Sequence, residues 1–194
     1  MVNQNIHIEE PASTLSMHPK KFALWLFIVS IVMLFAALTS AYIVKQSDGN
    51  WLSFKLPGIF AVNTGVIVLS SLTMHLAYLA AKKDALERIK WLLLATVVLG
   101  LAFLAGQYVS WSALVDNNIF FVSNYASGSF IYVFTGLHGL HLVSGIVFLL
   151  ITLVSLLRAK IHYKKLVQIE MCMTYWHFLG GLWVYLYIFL LFNL

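Results

Sequence analysis

The chain has 194 residues, of which 61% are hydrophobic and only 10% are charged, and its formal net charge is +5. A water-soluble domain has about 45–50% apolar and about 25% charged residues. A chain with a mean hydropathy of +0.89 therefore lacks the charges to cover a soluble surface, and we expect a membrane protein. Its single cysteine, Cys172, excludes a disulfide framework and a cysteine-rich metal or iron–sulfur site.

Five segments are long and apolar enough to cross a bilayer, which takes roughly 20 mostly apolar residues. None of them contains Asp, Glu, Lys or Arg. The predicted helices cover about residues 22–44, 58–81, 91–115, 129–157 and 171–194. The fourth begins at 129 because residues 116–128 are rich in Asn, Ser and Gly. The sequence predicts an all-α fold: a bundle of five transmembrane helices in one domain, 22–194, after a polar N-terminal tail, 1–21.

The basic residues predict the orientation of this bundle. Ten of the twelve fall at one end, before the first helix or in the loops after the second and fourth helices: Lys20, Lys21, Lys82, Lys83, Arg88, Lys90, Arg158, Lys160, Lys164 and Lys165. Only Lys45 and Lys55 fall at the other end. The positive-inside rule then places the N-terminus in the cytoplasm and the C-terminus outside. The same distribution explains the pI of about 9.3, so we expect no nucleic-acid partner.

Four histidines and one carboxylate lie within or beside the predicted spans: His75, His138, His141, His177 and Glu170. A rise of about 1.5 Å per residue places all of them except His138 in the cytoplasmic half of the membrane. His138 and His141 are three residues apart and share one helix face. Polar side chains at such depths need partners within the protein.

These histidines have three interpretations: they fix helix packing through hydrogen bonds, take part in proton transfer, or ligate haem or a metal ion. Packing is favoured, because two histidines at this spacing are a weak haem motif and only His177 is available on a second helix. Glu170 either collects protons or contacts lipid headgroups, or it is an anchor near a helix N-terminus, where negative charge is favourable. We find no nucleophilic triad, phosphate-binding loop or carboxylate pair. We therefore expect no catalytic, metal or cofactor-binding residue on the chain, and a place in a larger assembly.

Several motifs resemble the haem-copper oxidase subunit III family. Residues 134–141, FTGLHGLH, followed by Ser144 and Gly145, resemble one of its signatures, and Glu170 with the YWHF of residues 175–178 resembles its last helix. Gln107 followed by Trp111 is similar to its middle helix. The likeness covers about residues 22–194 and fits the five-helix form of the family. The candidate residues for a structural role or for proton uptake are His75, Gln107, His138, His141, Glu170, Trp176 and His177. His75 lies at the inner rim.

The resemblance implies a subunit without a redox centre in a proton-pumping terminal oxidase of a bacterial inner membrane. The complex would reduce oxygen to water, with haem and copper in the partner subunits. The chain would pack on catalytic subunit I, with subunit II, and in some complexes subunit IV, as further partners. It would hold phospholipid in a cleft, support proton uptake and protect the active site during turnover. Electrons would come from cytochrome c or quinol through other subunits.

Three positions that are often acidic in the family differ here. Ile31 follows Ser30, Ser110 lies three residues after Gln107, and Gly180 stands where an Asp commonly follows the last-helix motif. These differences argue against a proton relay through the span. They favour a role of the chain in structural support and in packing against lipid or partner subunits. Proton collection at the cytoplasmic rim is the second choice.

Cytochrome c oxidase is the favoured assembly, with quinol oxidase or a nitric oxide reductase accessory protein as alternatives within the family. A stand-alone transporter is an alternative from another class, and it predicts a broken helix, an intramembrane charge or an inverted repeat. A membrane b-type cytochrome would use His138 or His141 together with His177, and it predicts a haem spectrum from the chain alone.

Overall fold

The computed structural model describes residues 19–47, 49, 51–52, 54–122, 125–158 and 163–194. In these ranges the chain forms five helices: α1 Pro19–Gln46, α2 Ile59–Lys82, α3 Leu86–Asp116, α4 Ala126–Arg158 and α5 Tyr163–Asn193. Each is long and apolar enough to cross a membrane, and no strand occurs in the described ranges. The predicted all-α fold of five membrane-spanning helices is confirmed.

The helices extend beyond the uncharged segments that predicted them. α3 begins at Leu86 instead of about 91, and α5 begins at Tyr163 instead of about 171. α1 begins at Pro19, so the last three residues of the predicted polar tail are helical, whereas residues 1–18 lie outside the described ranges. Lys, Arg and Glu are good helix formers, so a helix can continue where the apolar segment ends. Hydropathy locates the part of a helix inside the bilayer rather than the whole helix.

Within the described ranges, α4 and α5 each contact three other helices. α2 and α3 form the most extensive pair, α3 also packs on α4, and α5 contacts α1, α2 and α4. α1 contacts only α4 and α5 within the described ranges. α1, α3 and α5 begin at the same end of the bundle at which α2 and α4 finish. We call this the basic end, because most Lys and Arg residues lie there.

Hydrogen bonds between side chains hold α2 against α3. Near one end of the pair, Asn63 Nδ2 donates to Ser110 Oγ at 3.3 Å. Nearer the basic end, the hydroxyls of Thr73 and Thr96 lie 2.9 Å apart. Lipid supplies no hydrogen-bond partner inside a bilayer, so such pairs fix the position of one helix relative to the next.

Polar contacts tie α1 to the last turn of α5. The Tyr42 hydroxyl and the Gln46 side-chain amide both donate to the backbone carbonyl of Asn193, each at 3.0 Å. This carbonyl is one of the last in its helix and therefore lacks an intrahelical donor. α1 is thus held at the end of the bundle opposite the basic end.

Gly106 provides a test of the α2–α3 packing. A Cβ at this position would overlap the side-chain amide of Asn63, so Gly106→Ala should displace Asn63 from Ser110. We expect a loss of about 1–3 kcal/mol in the free energy of unfolding, as is typical of overpacking. Unfolding with sodium dodecyl sulfate in mild detergent would measure it. Gly65→Ala is the matched control, because no atom lies within 4 Å of the added Cβ, and equal stabilities of the two variants would contradict this account.

Candidate functional site

The indole of Trp176 joins four helices at the centre of the bundle. Trp176 belongs to α5, is 1% exposed, and donates from Nε1 to Ser70 Oγ of α2 at 3.0 Å. A Cβ on Gly100 of α3 would lie 2.8 Å from the ring, and a Cβ on Gly145 of α4 would lie 3.3 Å from it. The ring fits between α3 and α4 because both helices carry glycine where they meet it.

His138 and Gln107 are buried in the same core with unused hydrogen-bonding capacity. The His138 ring packs against Phe103 of α3 and Trp183 of α5, with centroid distances of 5.9 and 5.1 Å. Within the described ranges, neither ring nitrogen of His138 and neither polar atom of the Gln107 side chain has a hydrogen-bond partner. Buried polar groups in proteins are nearly always hydrogen-bonded. These two residues are therefore the least satisfied polar groups of the candidate site.

His141 faces a different neighbour from His138. Its Nδ1 lies 2.7 Å from the carbonyl oxygen of Leu137, one turn earlier in α4. Its ring meets the edge of Phe35 on α1 at a centroid distance of 5.9 Å. The spacing of three residues thus places one histidine against α3 and α5 and the other against α1.

His177 lies beside His75 rather than beside the histidines of α4. The two ring centroids are 5.9 Å apart, and this contact joins α5 to α2. His75 is exposed and His177 is half-buried. Across the residues that the structure describes, no three His, Cys, Asp or Glu side chains are grouped as a metal site would require.

Glu170 forms an ion pair with Lys21 that connects the first turn of α1 to α5. Lys21 Nζ donates to both carboxylate oxygens at 2.9 Å, and the side chains are 32% and 35% exposed. The sequence placed Glu170 at a helix N-terminus, but α5 begins at Tyr163, so Glu170 lies beyond the first turn. The favourable partner of this carboxylate is therefore Lys21 rather than the helix dipole.

The three positions that are often acidic in the resembled family all lie in the protein interior. Ile31 is 2% exposed, and Ser110 accepts from Asn63 and donates to the Gly106 carbonyl. Gly180 is buried against α2. No Asp or Glu is buried in the part of the chain that the structure describes.

Sequence reasoning did not identify two residues that position the candidate site, Ser70 and Lys21. Each is polar and lies in or next to an apolar segment, which is the signal that could have identified it. The partner of Ser70 lies 106 residues away in the sequence, and the partner of Lys21 lies 149 residues away. No periodic pattern relates positions so far apart.

These features define a multi-pass helical membrane protein whose polar side chains mainly connect its helices. Comparison with known families matches residues 12–193 to the family described as cytochrome c oxidase subunit III. The chain belongs to this family.

Individual relatives include a subunit named for a ubiquinol oxidase and subunits named for cytochrome c oxidase. The cytochrome bo(3) ubiquinol oxidase subunit 3 of Buchnera aphidicola is 29% identical over 90% of this chain and 94% of its own length. The probable cytochrome c oxidase subunit 3 of Nocardia farcinica is 30% identical over 84% of this chain and 82% of its own. The cytochrome c oxidase subunit 3 of Mus musculus is 28% identical over 87% of this chain and 67% of its own.

The hydrogen bond between Trp176 and Ser70 can be tested by a double-mutant cycle. Ser70→Ala leaves the buried indole N–H without its acceptor, which should cost about 1–3 kcal/mol of unfolding free energy. In a Trp176→Phe background the same substitution should cost less, because the donor is already gone. We expect a coupling energy of about 0.5–2 kcal/mol from detergent unfolding curves, and additive effects would show that the bond contributes nothing.

The ion pair between Lys21 and Glu170 can be tested by charge reversal. Lys21→Glu and Glu170→Lys should each destabilise the bundle, and the double variant should recover most of the loss. Because both side chains are partly exposed, we expect no more than about 1 kcal/mol for the pair. The exposed pair Lys90–Glu87 within α3 is the control, since its reversal breaks no contact between helices. Failure of the double variant to recover stability would contradict the assignment.

Proposed function

We propose that the chain is the third subunit of a bacterial terminal oxidase, in which it carries no redox centre and supports the catalytic subunit. Family membership is the basis for the oxidase assignment. The evidence for a supporting role is that the candidate residues make contacts between helices. Trp176 connects four helices, His141 contacts α1, and Glu170 ties α5 to Lys21.

The proposed donor of electrons is cytochrome c, with ubiquinol as the alternative. The relatives named above include a cytochrome bo(3) ubiquinol oxidase subunit and cytochrome c oxidase subunits at similar identity. In either case the identity of the electron donor would be determined by subunit II. The main partner of this chain is proposed to be subunit I, followed by subunit II and, in complexes that have it, subunit IV. Haem and copper would reside in these partners.

Bound phospholipid is a further part of the proposal. A groove between α1 and α4, with a volume of about 690 Å³, is lined mainly by Ala37, Ser40, Ala41 and Phe130. The small side chains leave room for an acyl chain, and Phe130 offers it an apolar surface. These features support a lipid site at the end of the bundle opposite the basic end.

The proposed orientation places the basic end in the cytoplasm, in a bacterial inner membrane, as the positive-inside rule requires. Glu170, His75 and His177 would then lie on the cytoplasmic side, from which an oxidase takes up protons. Because Glu170 is held by Lys21, we give its structural role first place and proton collection second. On this basis Glu170→Gln should change the turnover lifetime modestly and leave oxygen reduction intact.

Affinity purification of the chain from native membranes in mild detergent tests the proposal. We expect a haem-containing oxidase subunit I in stoichiometric amount by mass spectrometry, and haem bands in the reduced-minus-oxidised visible spectrum. The identity of the co-purified subunit II would distinguish cytochrome c from quinol. A chain that elutes alone without haem would favour the transporter alternative. A chain that elutes alone with haem would make its histidines ligands and overturn the proposal.

A further inference from the structure

One face of α5 is not covered by other helices of the chain in the described ranges, because α1 and α2 pack on either side of it without contacting each other. Both helices pack on α5, yet they do not contact each other within the described ranges. Between them α5 presents His177, Gly181 and Ile188, of which Gly181 and Ile188 are exposed. We call these three residues, with His75 on the adjoining edge of α2, the open strip.

The open strip carries hydrogen-bonding groups where lipid would leave them unsatisfied. The rings of His75 and His177 contact each other, but in the described ranges neither forms a hydrogen bond. His75 lies seven residues before the end of α2 at Lys82, or about 10 Å inside it at about 1.5 Å per residue. Acyl chains neither donate nor accept hydrogen bonds, so polar residues within spans normally face protein.

The shape of the open strip suits a second helix. Gly181 lies one turn after His177, and a Cβ added there would meet no atom within 4 Å. An outward-facing glycine lets the backbone of another transmembrane helix approach closely, and polar side chains beside it provide hydrogen bonds across such an interface. A lipid would fill the space beside Gly181, but its headgroup belongs at the membrane surface rather than at the depth of the two histidines.

We propose that a transmembrane helix of another oxidase subunit docks on the open strip. Its backbone lies against Gly181, and one of its side chains, a carboxyl or an amide, hydrogen-bonds with His75 and His177. This inference rests on the proposed function, because it requires the chain to be part of an oxidase complex. Beyond the proposed function, it specifies which face of the chain the partner covers and which hydrogen-bonding groups the partner places there.

Leucine substitution of two exposed glycines separates docking from folding. In the complete oxidase, Gly181→Leu should reduce the amount of the other subunits that co-purifies with this chain by about tenfold, as expected for overpacking an interface. Gly65→Leu is the matched control, because Gly65 is equally open but lies on the outward face of α2. The two variant chains should unfold at the same detergent concentration as the wild type. If the other subunits co-purified equally with both variants, the assignment of the open strip as the docking face would be wrong.

Histidine variants test the chemistry of the same contact. His177→Phe and His75→Phe keep a ring of similar shape and remove its hydrogen-bonding nitrogens, so we expect each to lower subunit retention during detergent washing. His177→Gln keeps a hydrogen-bonding group and should recover part of the retention. Full retention by both phenylalanine variants would overturn the role of the histidines.

A photo-crosslinking amino acid at position 181 identifies the occupant directly. In the assembled oxidase we expect an adduct with a transmembrane peptide of another oxidase subunit, whereas the same probe at position 65 should not form that adduct. An adduct with lipid alone at position 181, or none, would overturn the proposal.

Failure of this inference is distinguishable from failure of the proposed function. If the wild-type chain co-purifies with no oxidase subunit, the proposed function itself is wrong. If the wild-type complex forms and position 181 has no role in it, only the docking face is wrong.

Discussion

Inside a bilayer, helices gain little from burying apolar side chains against each other, because lipid is equally apolar. Close packing and hydrogen bonds must hold them together instead, and in this chain both converge on Trp176. Its indole occupies the space left by Gly100 and Gly145 and donates to Ser70. This one ring therefore contacts α2, α3 and α4 and helps to fix their positions relative to α5.

The attachment of α1 differs from that of the other helices. It contacts neither α2 nor α3 within the described ranges, and polar contacts join it to α5 at both ends. These are the ion pair between Lys21 and Glu170 and the shared donation to the Asn193 carbonyl. The gap that this arrangement leaves between α1 and α2 exposes part of α5. This exposed part of α5 is the open strip on which we propose that a partner helix docks.

The sequence predicted the number and approximate location of the helices, because a span needs a continuous apolar segment and five such segments are present. It did not predict that α5 begins at Tyr163, since helix propensity continues where hydropathy falls. A family motif singled out Trp176, whereas His138 was identified as a polar residue within a span, three residues before His141. The partners Ser70, Lys21 and His75 could not be assigned, because helix packing rather than local sequence determines which residues meet. The contact between His75 and His177 is the clearest case, since the sequence suggested His177 only as a partner of the α4 histidines.

The proposed role of this chain is to support an oxidase without supplying its redox chemistry. The most direct test compares oxidase isolated with and without the chain, following oxygen consumption through many turnovers together with the haem spectrum. We expect unchanged haem bands and an unchanged initial rate, followed by a faster decline of activity when the chain is absent. Loss of a haem signal in proportion to the missing chain would contradict it.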